Sequence, residues 1–446
     1  MMRRVCSGSA WTAPSAVRAA GPRPGERTLR GVRRSATIAC APQGNLPAGG
    51  PLRVAVAGGG LAGLATAHAL LSLGAVLQRD VQVRVWDPAG AGGAGASRAA
   101  AGLLHPLTPR GTPAFRGLEG MAATRTLLAR AGDALGRPCH ADVPVVRLAL
   151  GDQPDKDAKL RKQGAGDDAR EWWDAGRLHA EAPLAGPAGC EGALAVPGAA
   201  VDMGAYLEGL SLACAHDFPA GSYTLERAPL PAEAILTRDG YTAVVYCTGA
   251  SAAGLQGLPC ALTPSPGVNV VFAPPPAGAG PALPVLPVTL ALIAGKYLVP
   301  LPGGAALGGA LQVPRDADGA AFAPLLDHLA AGCPARADPV AVDARAAADA
   351  LLGTTLGRIY PPLAGAAPVE ARAAVRVASP PGPGGRLLPI AVRLPADGPA
   401  LARWALVGLG ARGLLYHALV AAHLADALVA GDPGRVPREF GCGRDA

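Results

Sequence analysis

"VAVAGGGLAGLATAHALLSLGAVL" runs from Val54 to Leu77, and its reading decides the fold. Val54 to Ala57 form a short apolar run that reads as a buried strand. Gly58, Gly60 and Gly63 follow in GxGxxG spacing, and Leu61, Leu64, Ala65, Ala67, Ala69, Leu70 and Leu73 then recur at helical intervals to about Gly74. The chain holds 61 glycines, so the spacing alone is weak evidence. Context strengthens it. "VQVRVWD" (81–87) alternates apolar residues as a second strand, and Asp87 closes it 24 residues past Gly63. Strand, glycines, helix, strand and acid is the order of a dinucleotide-binding βαβ unit. Gly58 permits a tight turn, Gly60 lets the backbone approach a pyrophosphate, and Gly63 lets helix and strand pack closely. Leu61 and Ala62 open the helix, whose free N–H groups and partial positive charge favour phosphate. A carboxylate at Asp87 suits the two hydroxyls of an adenosine ribose and disfavours a 2′-phosphate.

At 446 residues, half of them hydrophobic, the chain has room for two or three domains and a sizeable core. The net charge of +7 does not imply a nucleic-acid partner. Residues 1–50 contain eight arginines, no lysine and one acid, Glu26, and so carry the whole excess. The neutral remainder has no general attraction for phosphates or anionic membranes. The leader is rich in Arg, Ser, Thr and Ala and interrupted by Pro and Gly. It reads as a transit peptide for the chloroplast, with the mitochondrion as the alternative. Nine scattered cysteines show no CxxC and no Cys/His cluster, so no metal is expected and reduced thiols are the simpler account. The most apolar stretch, residues 413–431, contains His417, His423 and Asp426 and reads as a buried helix, so no membrane span is expected.

Four further segments carry a resemblance. They are "ASRAAAGLLHP" (96–106), "LAVPGAAVDMGAYLEGLSLAC" (194–214), "YTAVVYCTGASAAGL" (241–255) and "WALVGLGARGLLYHALVAAHLADAL" (404–428). With the first βαβ unit they make the chain similar to the FAD-dependent amine and amino-acid oxidoreductases of the D-amino-acid oxidase and glycine oxidase group, in its plant and cyanobacterial flavour. The oxidase half of the bifunctional enzyme that modifies tRNA wobble uridines is a more distant similarity. The resemblance implies an α/β fold: a Rossmann-type FAD-binding domain with a second α+β substrate domain built on an antiparallel sheet. It implies FAD as cofactor, with Ser97, Gly102 and Leu103 in the second flavin motif and Gly249 in the turn after the "CTGA" strand. The last motif also has a physical reading. Gly408 and Gly410 separate a buried strand from a helix starting near Arg412 and Gly413, followed by Leu414. Its N-terminal N–H groups suit the flavin N1–C2=O2 edge, where reduced flavin is negative.

The resemblance divides the chain into an FAD-binding domain (51–115, 191–258 and 371–446) and a substrate domain (116–190 and 259–370). A helix is expected over 117–131, and strands over 267–272, 296–303 and 305–313 roof the flavin. In "EARAAVRVASPPGPGGRLLPIAVRLP" (370–395) the resemblance makes Arg376 the carboxylate-binding arginine, whose fork matches a carboxylate bidentately. Tyr297 offers its hydroxyl to a substrate or to a structural hydrogen bond. His105 is either a cofactor neighbour or a packed histidine. Ala411 stands where glycine oxidases carry an arginine, one position before Arg412, which leaves amino-acid specificity open.

No Ser/His/Asp set, metal cluster or redox cysteine pair is visible, so the cofactor carries the chemistry. The expected reaction is oxidation of a C–N bond of a small amine or amino acid by hydride transfer to flavin N5. Dioxygen or another electron acceptor then reoxidises the flavin. Two alternatives are a tRNA-modifying FAD oxidoreductase acting on a wobble-uridine side chain and a non-catalytic flavoprotein.

Overall fold

The computed structural model describes residues 50–164, 170–187, 190–273, 289–314, 320–382, 385–395 and 401–441. The leader therefore lies outside the described residues except for Gly50, as do Cys6, Cys40 and Cys442.

The opening stretch folds as β1 (Leu52–Ala57), α1 (Leu61–Val76) and β2 (Val81–Trp86). β1 sits inside a six-stranded sheet, parallel to β2 on one side and to Ala243–Tyr246 on the other. Beyond Ala243–Tyr246 lie the parallel strand Ala402–Val407 and the antiparallel edge Ile390–Leu394. Tyr223–Glu226 forms the other edge beside β2. Val54, Ala55 and Val56 have no exposed surface, as a central strand covered on both faces requires. α1 is apolar on nearly every side because it packs on the sheet and against the helices Met203–His216 and Gly413–Ala430. It continues two residues past Gly74, its expected end. A β-carbon on Gly74 would lie 2.5 Å from a Val81 methyl, so this glycine serves close helix–strand approach and not helix termination.

The second sheet has nine strands. Eight run in the order Pro368–Ala378, Thr263–Phe272, Ala306–Gln312, Lys296–Pro300, Ala291–Ala294, His140–Ala149, Gly192–Val201 and Leu103–Leu104, and Glu171–Asp174 pairs with Gly192–Val201. Its pairings are antiparallel except for Ala291–Ala294 beside His140–Ala149. One face is covered by three helices, whose Leu325, Ala347, Leu351, Leu356 and Ile359 pack on Val268, Val270, Leu292 and Leu298. The opposite face, here called the inner face, packs Val145, Ile293, Val299 and Tyr297 against Ala101, Leu103 and Leu107.

The two units interleave more than the expected boundaries allow. The helix over 117–131 extends to Leu135 and packs with the six-stranded sheet's core through Met121, Leu127 and Leu128. Gly120 makes that possible, since a β-carbon there would sit 2.5 Å from the Leu415 carbonyl oxygen. Conversely Gly192–Val201, expected on the nucleotide side, lies in the nine-stranded sheet. The helix Gly413–Ala430 is long and apolar enough to cross a membrane by composition, yet thirteen of its residues are buried inside the fold.

Candidate active site

The turn after β1 is set by contacts within the chain. Gly58 has φ +105°, and a β-carbon on it would lie 2.5 Å from the Cys247 carbonyl oxygen. A β-carbon on Gly63 would lie 1.8 Å from the Gly58 carbonyl oxygen. At Gly60 a β-carbon would meet the Ser97 hydroxyl at 2.7 Å. That hydroxyl accepts the Leu61 N–H at 3.0 Å, and Ala62 and Gly63 follow in a first turn whose N–H groups the helix cannot bond itself. An anion at this end meets ready donors. Asp87 is fixed beside the turn: one carboxylate oxygen accepts the Gly59 N–H at 2.8 Å and the other the Ala89 N–H at 2.9 Å. Burial pushes its pKa up, opposed by the N–H groups of Gly59, Ala89 and Gly90.

A second helix N-terminus stands next to the first. Gly408 and Gly410, with φ +69° and +57°, end the strand Ala402–Val407, and a short turn leads to the helix Gly413–Ala430. A β-carbon on Gly413 would lie 3.7 Å from a Leu61 methyl, which places the two helix starts side by side. Arg412 precedes this helix and its charge lies near the Tyr416 hydroxyl, which donates to the Phe115 carbonyl at 2.9 Å. Leu414 is buried in the core, and its carbonyl accepts the Thr124 hydroxyl at 2.9 Å. Gly249 opens a turn after Ala243–Tyr246 and faces open space. Gly102 is different, since a β-carbon there would lie 1.9 Å from the Val201 carbonyl oxygen, and Leu103 pairs with Ala200. His105 Nδ1 accepts the Leu107 N–H at 3.2 Å, which leaves a ring proton on Nε2. Burial, followed by the positive charges of Arg147 and Arg412, pushes its pKa down to about 3, so it is neutral.

Above these elements the inner sheet face presents one cross-sheet row. Leu194 pairs with Arg147, Arg147 with Ile293, Ile293 with Tyr297 and Tyr297 with Gly309. Directly paired residues point to the same face. Asn269 reaches the same place: its side-chain oxygen accepts the Tyr297 hydroxyl at 2.8 Å and its amide donates to the Ala99 carbonyl at 2.7 Å. Burial pushes the Tyr297 pKa up to about 12, opposed by the nearby Arg376 charge. Arg376 is partly buried on the neighbouring part of this face, paired with Ser265 and four residues along from Arg372, the partner of Asn269. Among the described residues neither Arg376 nor Arg147 has an ion-pair partner. Among the described residues the site is therefore cationic, with no compensating carboxylate.

The sequence pattern described as DAO, FAD dependent oxidoreductase, matches residues 53–427. The chain belongs to this family. No curated protein matches it. Among solved structures, glycine oxidase from Geobacillus kaustophilus is 21% identical with a TM-score of 0.62, covering 88% of this chain and 99% of its own. Iminodiacetate oxidase from Chelativorans sp. BNC1 is 22% identical with a TM-score of 0.59, covering 88% and 100%. The L-alpha-glycerophosphate oxidase from Mycoplasma pneumoniae, solved with FAD bound, is 13% identical with a TM-score of 0.52, covering 84% and 94%. These likenesses establish the shared fold.

The donor set fits FAD. Gly58, Gly60, Leu61, Ala62, Gly63, Asp87 and Ser97 gather at the α1 start, which suits the adenosine and pyrophosphate. Gly408, Gly410, Arg412 and Gly413 gather at the adjacent helix start, which suits the polar edge of the flavin ring. Two of the cofactor candidates have packing reasons of their own: Gly102 meets the Val201 carbonyl, and the Leu414 side chain lies in the core. His105 lies within reach of the charges of both Arg147 and Arg412. Sequence reasoning missed Asn269 and Arg147. Each is a lone polar residue in an apolar strand, "VNVVF" and "VVRLAL", and that was the available signal.

Proposed function

We propose that this FAD-dependent oxidoreductase oxidises a C–N bond of a small amine or amino acid that carries a carboxylate. The observation that carries this reading is Arg376, a partly buried cation without an acidic partner among the described residues, on the same sheet face as the fixed Tyr297 hydroxyl and near enough for its charge to act there. Bound FAD would supply the two-electron oxidant, as the acceptor of a hydride from the substrate carbon. The chain's own residues bind and orient. Arg376 holds the carboxylate as a fork. The Tyr297 proton is committed to Asn269, so its oxygen lone pairs face outward as an acceptor for the substrate N–H. His105 stays neutral and acts as an Nε2–H donor rather than a base at physiological pH. The imine product would hydrolyse in water, and dioxygen or another acceptor would take up the two electrons. The Arg-rich leader supports placing the enzyme in a plastid.

Anaerobic mixing of the FAD-loaded protein with a panel of amino acids and N-alkyl glycines tests this reading. Bleaching of the flavin band near about 450 nm by a carboxylated amine, and not by its decarboxylated analogue, is expected. A band that persists with every candidate favours a non-catalytic flavoprotein.

A further inference from the structure

Three buried polar side chains converge on the first turn of the helix Gly413–Ala430, and none has a part in the oxidation itself. Thr124, Tyr206 and His417 have no exposed surface. The Thr124 hydroxyl donates to the Leu414 carbonyl at 2.9 Å. His417 Nδ1 lies 3.0 Å from the Leu414 carbonyl oxygen and 3.2 Å from that of Gly413. Carbonyls only accept, so Nδ1 carries the ring proton, and Nε2 accepts the Tyr206 hydroxyl at 2.6 Å. Thr124 comes from the helix Gly117–Leu135 and Tyr206 from the helix Met203–His216, so two other helices supply donors to this one turn. Burying such groups is costly. Here they act on two carbonyls that the helix's own N–H groups already reach.

A carbonyl and the N–H of the next residue belong to one peptide unit. A donor placed on the carbonyl polarises that unit and makes its N–H more positive. The Gly413 and Leu414 carbonyls are joined in this way to the N–H groups of Leu414 and Leu415. Those N–H groups lie in the first turn, where the helix has no acceptor for them. They belong to the helix start that suits the polar edge of the flavin ring, the edge that turns negative on reduction.

We infer that Thr124, His417 and, through His417, Tyr206 are positioning residues that set how strongly this site favours reduced over oxidised FAD. They act through the backbone of the first turn. This rests on the reading of the helix start at Gly413 as the seat of the flavin's polar edge, and it is independent of which amine is oxidised.

The test uses the FAD-loaded protein and its T124V, Y206F, H417L and H417N variants, with L424A as a control that destabilises the same helix further from its start. The flavin midpoint potential is measured against a redox dye with no amine present. T124V and H417L should each lower the preference for reduced FAD by about threefold to tenfold, a fall of about 15–30 mV for a two-electron couple. Y206F, which deletes one hydroxyl and keeps the ring, should give a smaller fall of the same sign, and it decides the His417 arm if H417L does not hold flavin. H417N keeps an N–H donor where Nδ1 stood and should recover most of the wild-type potential. L424A, which empties a fully buried position, should lose Tm and leave the potential unchanged. The C2=O2 stretching frequency of bound FAD reports separately whether donors meet that edge in the wild type. A lowered stretch in the wild type with unchanged potentials in T124V and H417L overturns the inference alone, even if both variants lose Tm, because that marks packing only. So does an equal shift in L424A. A wild-type stretch no different from that of free FAD overturns the seat and the inference together.

Discussion

The Tyr297 hydroxyl and the Asn269 side-chain oxygen lie 2.8 Å apart, and through the Asn269 amide, 2.7 Å from the Ala99 carbonyl, the nine-stranded sheet is tied to the segment carrying Ser97. Asn269 thus fixes a candidate substrate ligand relative to the nucleotide side. Replacing it with Leu leaves the Tyr297 hydroxyl and the Ala99 carbonyl without partners, a loss of about 1–3 kcal/mol in denaturant unfolding. Because the Tyr297 oxygen then turns freely, kcat/KM should fall as well. N269D keeps the acceptor for Tyr297 and should retain more kcat/KM than N269L; the reverse order would contradict a positioning role.

Arg376 is expected to govern the carboxylate. R376M should lower kcat/KM for carboxylated amines by about 10²-fold or more, and R376K should recover only part, since an ammonium lacks the planar fork. Decarboxylated analogues should show little difference between wild type and variant. A uniform loss across both substrate sets would point to flavin or folding effects instead.

The glycine turn makes a separate prediction about cofactor retention. G58A forces a β-carbon into the space 2.5 Å from the Cys247 carbonyl at a φ of +105°. The strand end must shift, at a cost exceeding about 1 kcal/mol, and the donors at Leu61 and Ala62 move with it. Purified G58A should carry far less flavin per chain than wild type, read as the ratio of flavin to protein absorbance. Full flavin content in G58A would remove the turn from the cofactor site.

His417 sets a pH dependence of stability. It has no exposed surface, its Nε2 accepts the Tyr206 hydroxyl at 2.6 Å and its Nδ1–H donates to the Leu414 carbonyl at 3.0 Å. Burial pushes its pKa down to about 4, opposed by the Leu414 and Gly413 carbonyls. The unfolded chain therefore takes up a proton at this residue before the folded one does. Stability should fall as pH drops from about 6.5 toward 4, by up to about 1.4 kcal/mol per unit from this group. Urea unfolding between pH 7 and 5 measures the slope, and H417Q should flatten it. A slope unchanged by the substitution would assign the effect to other groups.

The linear order of residues determined the nucleotide half of the protein. The run Val54–Ala57, the glycine spacing and Asp87 are local, and short-range sterics fix what such a run becomes, so β1, α1 and β2 were legible with errors of a residue or two. The same holds for the glycine turn before Gly413. Pairing between distant strands decided the rest. Nothing local says that Ile293 lies between Arg147 and Tyr297, or that Asn269 reaches Ala99, because sheet register is set by long-range packing of whole faces. Gly74 and Gly120 likewise look like punctuation in the chain, and only the neighbouring Val81 and Leu415 reveal them as points of close approach. The cofactor cradle was thus written in sequence-local geometry, while the cationic face opposite it arose when strands far apart in the chain came to lie side by side.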